Sequence, residues 1–258
     1  MQLAGKVAVV TGGGGGIGAA MARRFGVQGA AHVAVVDLDG EAAERVASEI
    51  GGSGHQLDAA DEAAVSQLVE TVLESHGVID LMCANAGVAL PGGLDAGEES
   101  WRRSWEVNVM SQVYAARAVV PGMVARGEGY LLLTASAAGL TTSLDTAPYA
   151  VTKHASVALA EWLSITYGDR GIRVSCLAPQ FVDTAMGQLA GDTPAAAEWA
   201  RDLMIDADDV AASVVDGLAA ERFLIVPHPE VARYFHHKAG DYDRWLAGMR
   251  KLRSGLDY

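Results

Sequence analysis

Short β-branched runs alternate along this chain with longer alanine-rich segments, and that alternation restricts the fold more than any other feature. The runs lie at 6–10 (KVAVV), 32–37 (HVAVVD), 79–84 (IDLMCA), 130–136 (YLLLTAS), 172–178 (IRVSCLA) and 223–227 (FLIVP). Their near-continuous apolar character predicts strands buried on both faces. Between them, 16–28, 40–50, 61–76, 98–126, 148–168 and 206–220 carry apolar residues at helical spacing. Segment 61–76 opens on acids and closes on His76 before Gly77, as helix dipole and C-cap preferences favour. Because crossovers between parallel strands are right-handed, the order predicts a single α/β domain, a doubly wound parallel sheet with helices on both faces.

Composition agrees with a packed domain. The 258 residues are 50% hydrophobic and 20% charged, which excludes a disordered chain and a disulfide-stapled miniprotein. Lys and Arg number 19 against 32 Asp and Glu, and the net charge of −13 repels a phosphate backbone, so nucleic acid is not an expected partner. Cys83 and Cys176 sit inside apolar runs and read as reduced core residues. The absence of an apolar stretch long enough for a signal peptide or membrane helix predicts a cytoplasmic protein without a membrane partner. Charge is uneven, with 7 Lys/Arg against 5 Asp/Glu in 221–258 and 12 against 27 before it.

After the first run comes Thr11-Gly12-Gly13-Gly14-Gly15-Gly16-Ile17-Gly18, leading into a helical segment. Glycines let backbone N–H groups approach a pyrophosphate, and the helix start adds partial positive charge. The alternative is a flexible turn. A mononucleotide loop is disfavoured, because no Gly-Lys-Ser/Thr follows. The second run ends at Asp37, placed to accept the hydroxyls of an adenosine ribose. That carboxylate opposes a 2′-phosphate by roughly 4 kcal/mol per unit charge at about 4 Å and an effective dielectric near 20, so NAD is expected over NADP. The next residue is Leu38, which leaves no adjacent arginine for the phosphate. Capping of helix 40–50 falls better to Asp39 than to Asp37.

Tyr149 and Lys153 stand at i, i+4 on one helical face, and Ser136 lies 13 residues upstream at a strand terminus. A nearby ammonium stabilises a phenolate, which lets tyrosine handle protons near neutral pH. With the glycine run, Asp58, Asn85-Ala86-Gly87, Asn108 and Pro179 through Thr184, the chain resembles the short-chain dehydrogenase/reductase family over about residues 4–226. The resemblance implies a Rossmann-like fold with a third strand before Asp58. It also implies roles: Tyr149 as general acid/base, Ser136 polarising the reacting C–O bond, Lys153 on the nicotinamide ribose, and Asn108 in a proton relay. By the same resemblance Gly12, Gly16, Ile17, Gly18, Asp37 and Leu38 hold the cofactor's pyrophosphate and ribose end. Asp58 contacts adenine, Asn85 and Gly87 support cofactor and sheet, and Pro179 and Thr184 lie at the nicotinamide.

Two features depart from the family pattern. Pro179-Gln180 replaces the usual Pro-Gly, so Gln180 either contacts substrate or turns outward. The last 31 residues, 228–258, replace a glycine-rich ending, and Val231, Tyr234, Phe235, Tyr242, Trp245, Leu246 and Met249 recur at helical spacing. Residues 1–227 are expected to form the NAD-binding and catalytic domain, and 228–258 a helical extension packed on it or on a neighbouring subunit. His228, His236 and His237 read as surface histidines and not as metal ligands. Segment 187–203 lies where the family carries a substrate lid, the alternative being an ordinary linking helix. Ala138, Leu140, Leu90 and Met186 are expected to wall an apolar pocket.

These readings predict an NAD-dependent alcohol dehydrogenase or ketone reductase acting on a lipophilic secondary alcohol. The alternatives are an acyl-thioester ketoreductase and a non-catalytic NAD-sensing protein. A homo-oligomer is expected through helices 98–126 and 148–168, with Ala155, Ala158, Leu159 and Trp162 as an apolar stripe.

Overall fold

The computed structural model describes residues 1–144, 146–191 and 193–257. Seven parallel strands form one sheet in the order β3-β2-β1-β4-β5-β6-β7. They are β1 (Val7–Thr11), β2 (His32–Asp37), β3 (Ser53–Gln56), β4 (Leu81–Ala84), β5 (Gly129–Thr134), β6 (Ile172–Leu177) and β7 (Leu224–Ile225). The order reverses between β1 and β4, which opens a crevice at the carboxyl ends of the strands.

Alternation along each strand sends side chains to two cores. Val7 and Val9 of β1 join one with Leu68, Val72, Val119 and Leu163, from α3 (Glu62–His76), α5 (Ser111–Arg126) and α7 (Ala147–Tyr167). Ala8 and Val10 join the other with Met21, Phe25, Val46 and Val214, from α1 (Gly16–Val27), α2 (Gly40–Ile50) and α9 (Ala207–Ala219). Strands buried on both sides need apolar residues at every position, which explains the uninterrupted runs. Caps behave as their chemistry dictates: the Asp39 carboxylate accepts from the Ala42 N–H at 3.1 Å, and Asp61 from those of Ala63 and Ala64.

Several elements differ from the sequence expectation. The apolar runs do not include β3, whose residues Ser-Gly-His-Gln form the sheet edge beside β2. The run at 223–227 forms only a two-residue strand, also at an edge. Segment 98–126 is α4 (Glu98–Trp105), a π-helical turn (Glu106–Met110) and then α5, so one extra residue is accommodated where Asn108 sits. A short helix, α6 (Ala138–Thr141), follows β5. Segment 187–203 holds a 3₁₀ turn (Gly187–Leu189) and α8 (Pro194–Asp202).

The final residues fold into α10 (Pro229–Gly240) and α11 (Tyr242–Gly255), separated by Asp241 in extended conformation. Val231 enters the first core. The buried Lys238 ammonium donates to the Leu140 carbonyl at 2.8 Å and fixes α10 to α6. The α11 end is tied down by the Thr193 hydroxyl, which donates to the Leu256 carbonyl. The two cysteines lie on β4 and β6 with β5 between them, both buried and free. No helix among the described residues is long and apolar enough to cross a membrane.

Candidate active site

A continuous cavity of about 1340 Å³ occupies the crevice. Its volume exceeds the roughly 300–1,000 Å³ of an ordinary single-ligand site. At one end stands the glycine loop. Gly12 has φ +63°, a left-handed conformation that suits glycine. Gly18 packs so closely on the Gly12 carbonyl that no Cβ fits between them. The Asp37 carboxylate reaches back to this loop, accepting from the Gly14 N–H at 2.9 Å and from the Asp39 N–H at 3.1 Å. Ile17 and Leu38 line the same end.

Asp58 lines the cavity beside them and pairs with Arg103 of α4 at 3.1 Å. Sequence reasoning missed Arg103, because α4 lies some 45 residues further along the chain and only tertiary structure joins the two. Asn85 ties the loop to the sheet: its Nδ2 donates to the Thr11 carbonyl at 3.0 Å, and its Oδ1 accepts from the Thr134 hydroxyl at 3.0 Å. A Cβ on Gly87 would come within 3.2 Å of both Asn108 Oδ1 and Lys153 Nζ, so glycine there lets three segments converge.

At the other end, Ser136, Tyr149 and Lys153 line one wall. Ser136 follows β5, and its Oγ donates to the Pro179 carbonyl at 3.3 Å and accepts from the Ala138 N–H at 3.1 Å. Thr146 caps α7, so Tyr149 and Lys153 project one turn apart from the first turns of that helix. Lys153 is 3% exposed, donates to the Thr134 carbonyl at 3.0 Å, and lies 5.6 Å from the Tyr149 ring centre. Burial lowers the Lys153 ammonium to about 8. Burial also pushes the Tyr149 phenol up, against a lowering contribution from the Ser136 hydroxyl. Burial outweighs the hydroxyl, so the phenol is held neutral at pH 7.

Asn108 is brought near but does not line the cavity. Fully buried in the π turn, it accepts from the Val88 N–H at 2.8 Å and donates to the Val88 carbonyl at 2.9 Å and to Thr152 Oγ1 at 3.0 Å. Its own carbonyl accepts from Ser156 Oγ at 3.0 Å. Leu140 likewise leaves the pocket and packs in the core, whereas Leu90, Ala138 and Met186 form cavity wall.

Pro179, Gln180, Thr184 and Met186, on the loop after β6, close the cavity from above. Thr184 Oγ1 accepts from the Gly187 N–H at 3.0 Å. His228 corrects the sequence expectation of a surface residue. It is 1% exposed, its Nδ1 accepts from the Gln180 N–H at 3.1 Å, and its Nε2 donates to the Phe181 carbonyl at 3.0 Å. This pairing fixes the neutral tautomer, and burial lowers its pKa in keeping with that. The Phe181 ring packs edge-on against Trp199 of α8, with centres 5.3 Å apart. The far wall comes from the C-terminal helices, through Tyr234, Trp245, Met249 and Leu252, while Phe235, Tyr242 and Leu246 turn outward.

A doubly wound sheet, a glycine loop at its switch point and a hydroxyl-hydroxyl-ammonium cluster on one wall define a class of redox enzyme. The chain matches the family model described as short chain dehydrogenase over residues 6–195, and it belongs to that family. It is 38% identical over 234 residues to 1-deoxy-11-beta-hydroxypentalenate dehydrogenase of Streptomyces exfoliatus, covering 87% of this chain and 84% of that one. It is 35% identical over 200 residues to D-threitol dehydrogenase of Mycolicibacterium smegmatis, covering 75% and 76%. Among solved structures, a short chain dehydrogenase/reductase from Burkholderia phymatum in complex with NAD superposes with a TM-score of 0.83 at 28% identity, covering 94% of this chain and 96% of that one.

Proposed function

We propose that this protein is an NAD-dependent oxidoreductase that interconverts a lipophilic secondary alcohol and its ketone. The supporting observation is that Ser136, Tyr149 and Lys153 share one cavity with the glycine loop and Asp37. The loop fits the cofactor, because Gly12 and Gly18 leave its backbone bare and Asp37 offers carboxylate lone pairs at the same end. Asp58, Asn85, Gly87, Pro179 and Thr184 line the rest of the path. The NAD complex of the Burkholderia relative supports the same assignment.

When bound, NAD supplies the hydride acceptor or donor. Ser136 Oγ holds the substrate oxygen, and Tyr149 removes or returns its proton. The Lys153 ammonium, 5.6 Å from the Tyr149 ring centre, favours the phenolate and so acts against the burial that raises the phenol. Asn108 positions Val88 and Thr152 around this pair without touching the cavity. Residues 1–227 form the catalytic unit, and 228–258 an extension packed on it that shapes the substrate end. The protein works in the cytoplasm on a small molecule, as a homo-oligomer.

NADH formation over a panel of secondary alcohols tests this reading. NAD should exceed NADP in kcat/KM by about 1,000-fold, set by Asp37. Tyr149→Phe should lower kcat about 100- to 10,000-fold while NAD affinity stays within about three-fold. Equal use of both cofactors refutes the Asp37 assignment, and a Tyr149→Phe enzyme that keeps most of its turnover refutes the proton chemistry.

A further inference from the structure

Two cavity-lining residues have buried side-chain polar atoms that meet no partner among the described residues: Gln180, through Oε1, and Trp245, through Nε1. An unpaired buried polar group costs about 1–3 kcal/mol, and native proteins retain such groups where function uses them. Ser136, Lys153 and Thr184, which line the same cavity, are by contrast engaged. Gln180 is also placed with unusual care, because His228 binds its backbone N–H and the carbonyl of the next residue. Its side chain thus departs from a fixed point. Trp245 comes from the opposite direction, on α11, packed against Tyr234 with ring centres 6.3 Å apart.

We propose that Gln180 and Trp245 are specificity-determining residues that recognise a second hydroxyl on the substrate, apart from the one that reacts. The unmatched atoms are one acceptor and one donor. A hydroxyl both donates and accepts, so it is the one common oxygen function that satisfies each of them. A carboxylate or ketone oxygen only accepts and leaves Gln180 Oε1 unpaired. A pure hydrocarbon end satisfies neither. Phe181, Trp199, Met249 and Leu252 give this wall its apolar area, beside His236, His237, Asp241 and Arg244, so the substrate class is a diol whose carbon skeleton packs on aromatic and aliphatic side chains. The inference deepens the alcohol dehydrogenase reading and rests on it for the identity of the reacting group.

The test compares cyclohexanol with the 1,2-, 1,3- and 1,4-cyclohexanediols, using the intact protein and NAD. The wild type should prefer at least one diol in kcat/KM, and Gln180→Leu and Trp245→Phe should each reduce that diol-to-alcohol ratio about three- to ten-fold. Gln180→Leu nearly conserves volume and Trp245→Phe keeps an aromatic ring while removing the indole N–H, and melting temperatures verify that each variant folds. Calorimetric titration of the NAD-loaded protein with the same four compounds reads the ratio without turnover. A protein that binds the diol preferentially, loses that preference in both variants and oxidises nothing retains this inference while removing the redox reading. A wild type indifferent to the second hydroxyl, or a preference that survives both substitutions, overturns it.

Discussion

Lys153 illustrates how a residue can oppose the fold that holds it. Its ammonium is buried against a single carbonyl, and burial lowers its pKa to about 8 from the ordinary lysine value. The folded state therefore binds that proton less tightly than the unfolded state. The resulting destabilisation is full below pH 8 and fades as pH rises to the ordinary lysine range. Lys153→Met keeps the volume and removes the charge, so the variant should melt a few degrees higher at pH 7, lose that advantage by pH 10, and have no useful turnover. Melting curves at the two pH values check this, and a variant less stable than wild type at pH 7 contradicts it. Lys153 was legible in the sequence because its partner Tyr149 lies one helical turn away, and Asp37 because it ends a strand. His228 was not legible: its partners lie 47 and 48 residues back, and nothing local marks a histidine whose two ring nitrogens both bind backbone.

At the scale of elements, the apolar strands announce themselves and β3 does not. An edge strand buries less, so Ser53–Gln56 can be polar, and only its pairing to β2 reveals it. The π turn was equally hidden, since one extra residue in a helical pattern does not disturb apolar spacing over so short a span. The aromatic spacing of the tail was visible, but the break at Asp241 and the division between inward Tyr234 and Trp245 and outward Phe235 and Tyr242 were not. Residues Tyr242–Gly255 contribute nothing fully buried, yet Trp245, Met249 and Leu252 face the cavity. A chain ending at Gly240 should therefore fold and bind NAD within about three-fold of the full chain, while KM for its best alcohol rises about ten-fold or more. Steady-state kinetics with calorimetry checks this, and an unchanged KM contradicts it.

Over the whole molecule, the doubly wound parallel sheet followed from the alternation of runs and the handedness of crossovers, because those rules leave few topologies. What the sequence could not resolve is which apolar surface stays uncovered. On α7, Trp162 is 56% and Ile165 82% exposed, whereas Leu159 of the expected stripe packs against the core. If this face pairs with a second copy, Trp162→Glu should convert the assembly to smaller species in sedimentation at micromolar concentration without lowering the melting temperature of the monomer. A wild type that sediments as monomer removes the proposal. The position of α11 also bears on inheritance. A segment that walls the cavity but supports no core is free to drift: substitutions there change which molecule is accepted while leaving the sheet and the redox groups untouched, so a lineage carrying this architecture can acquire new substrates through its last fourteen or so residues without first surviving a loss of fold.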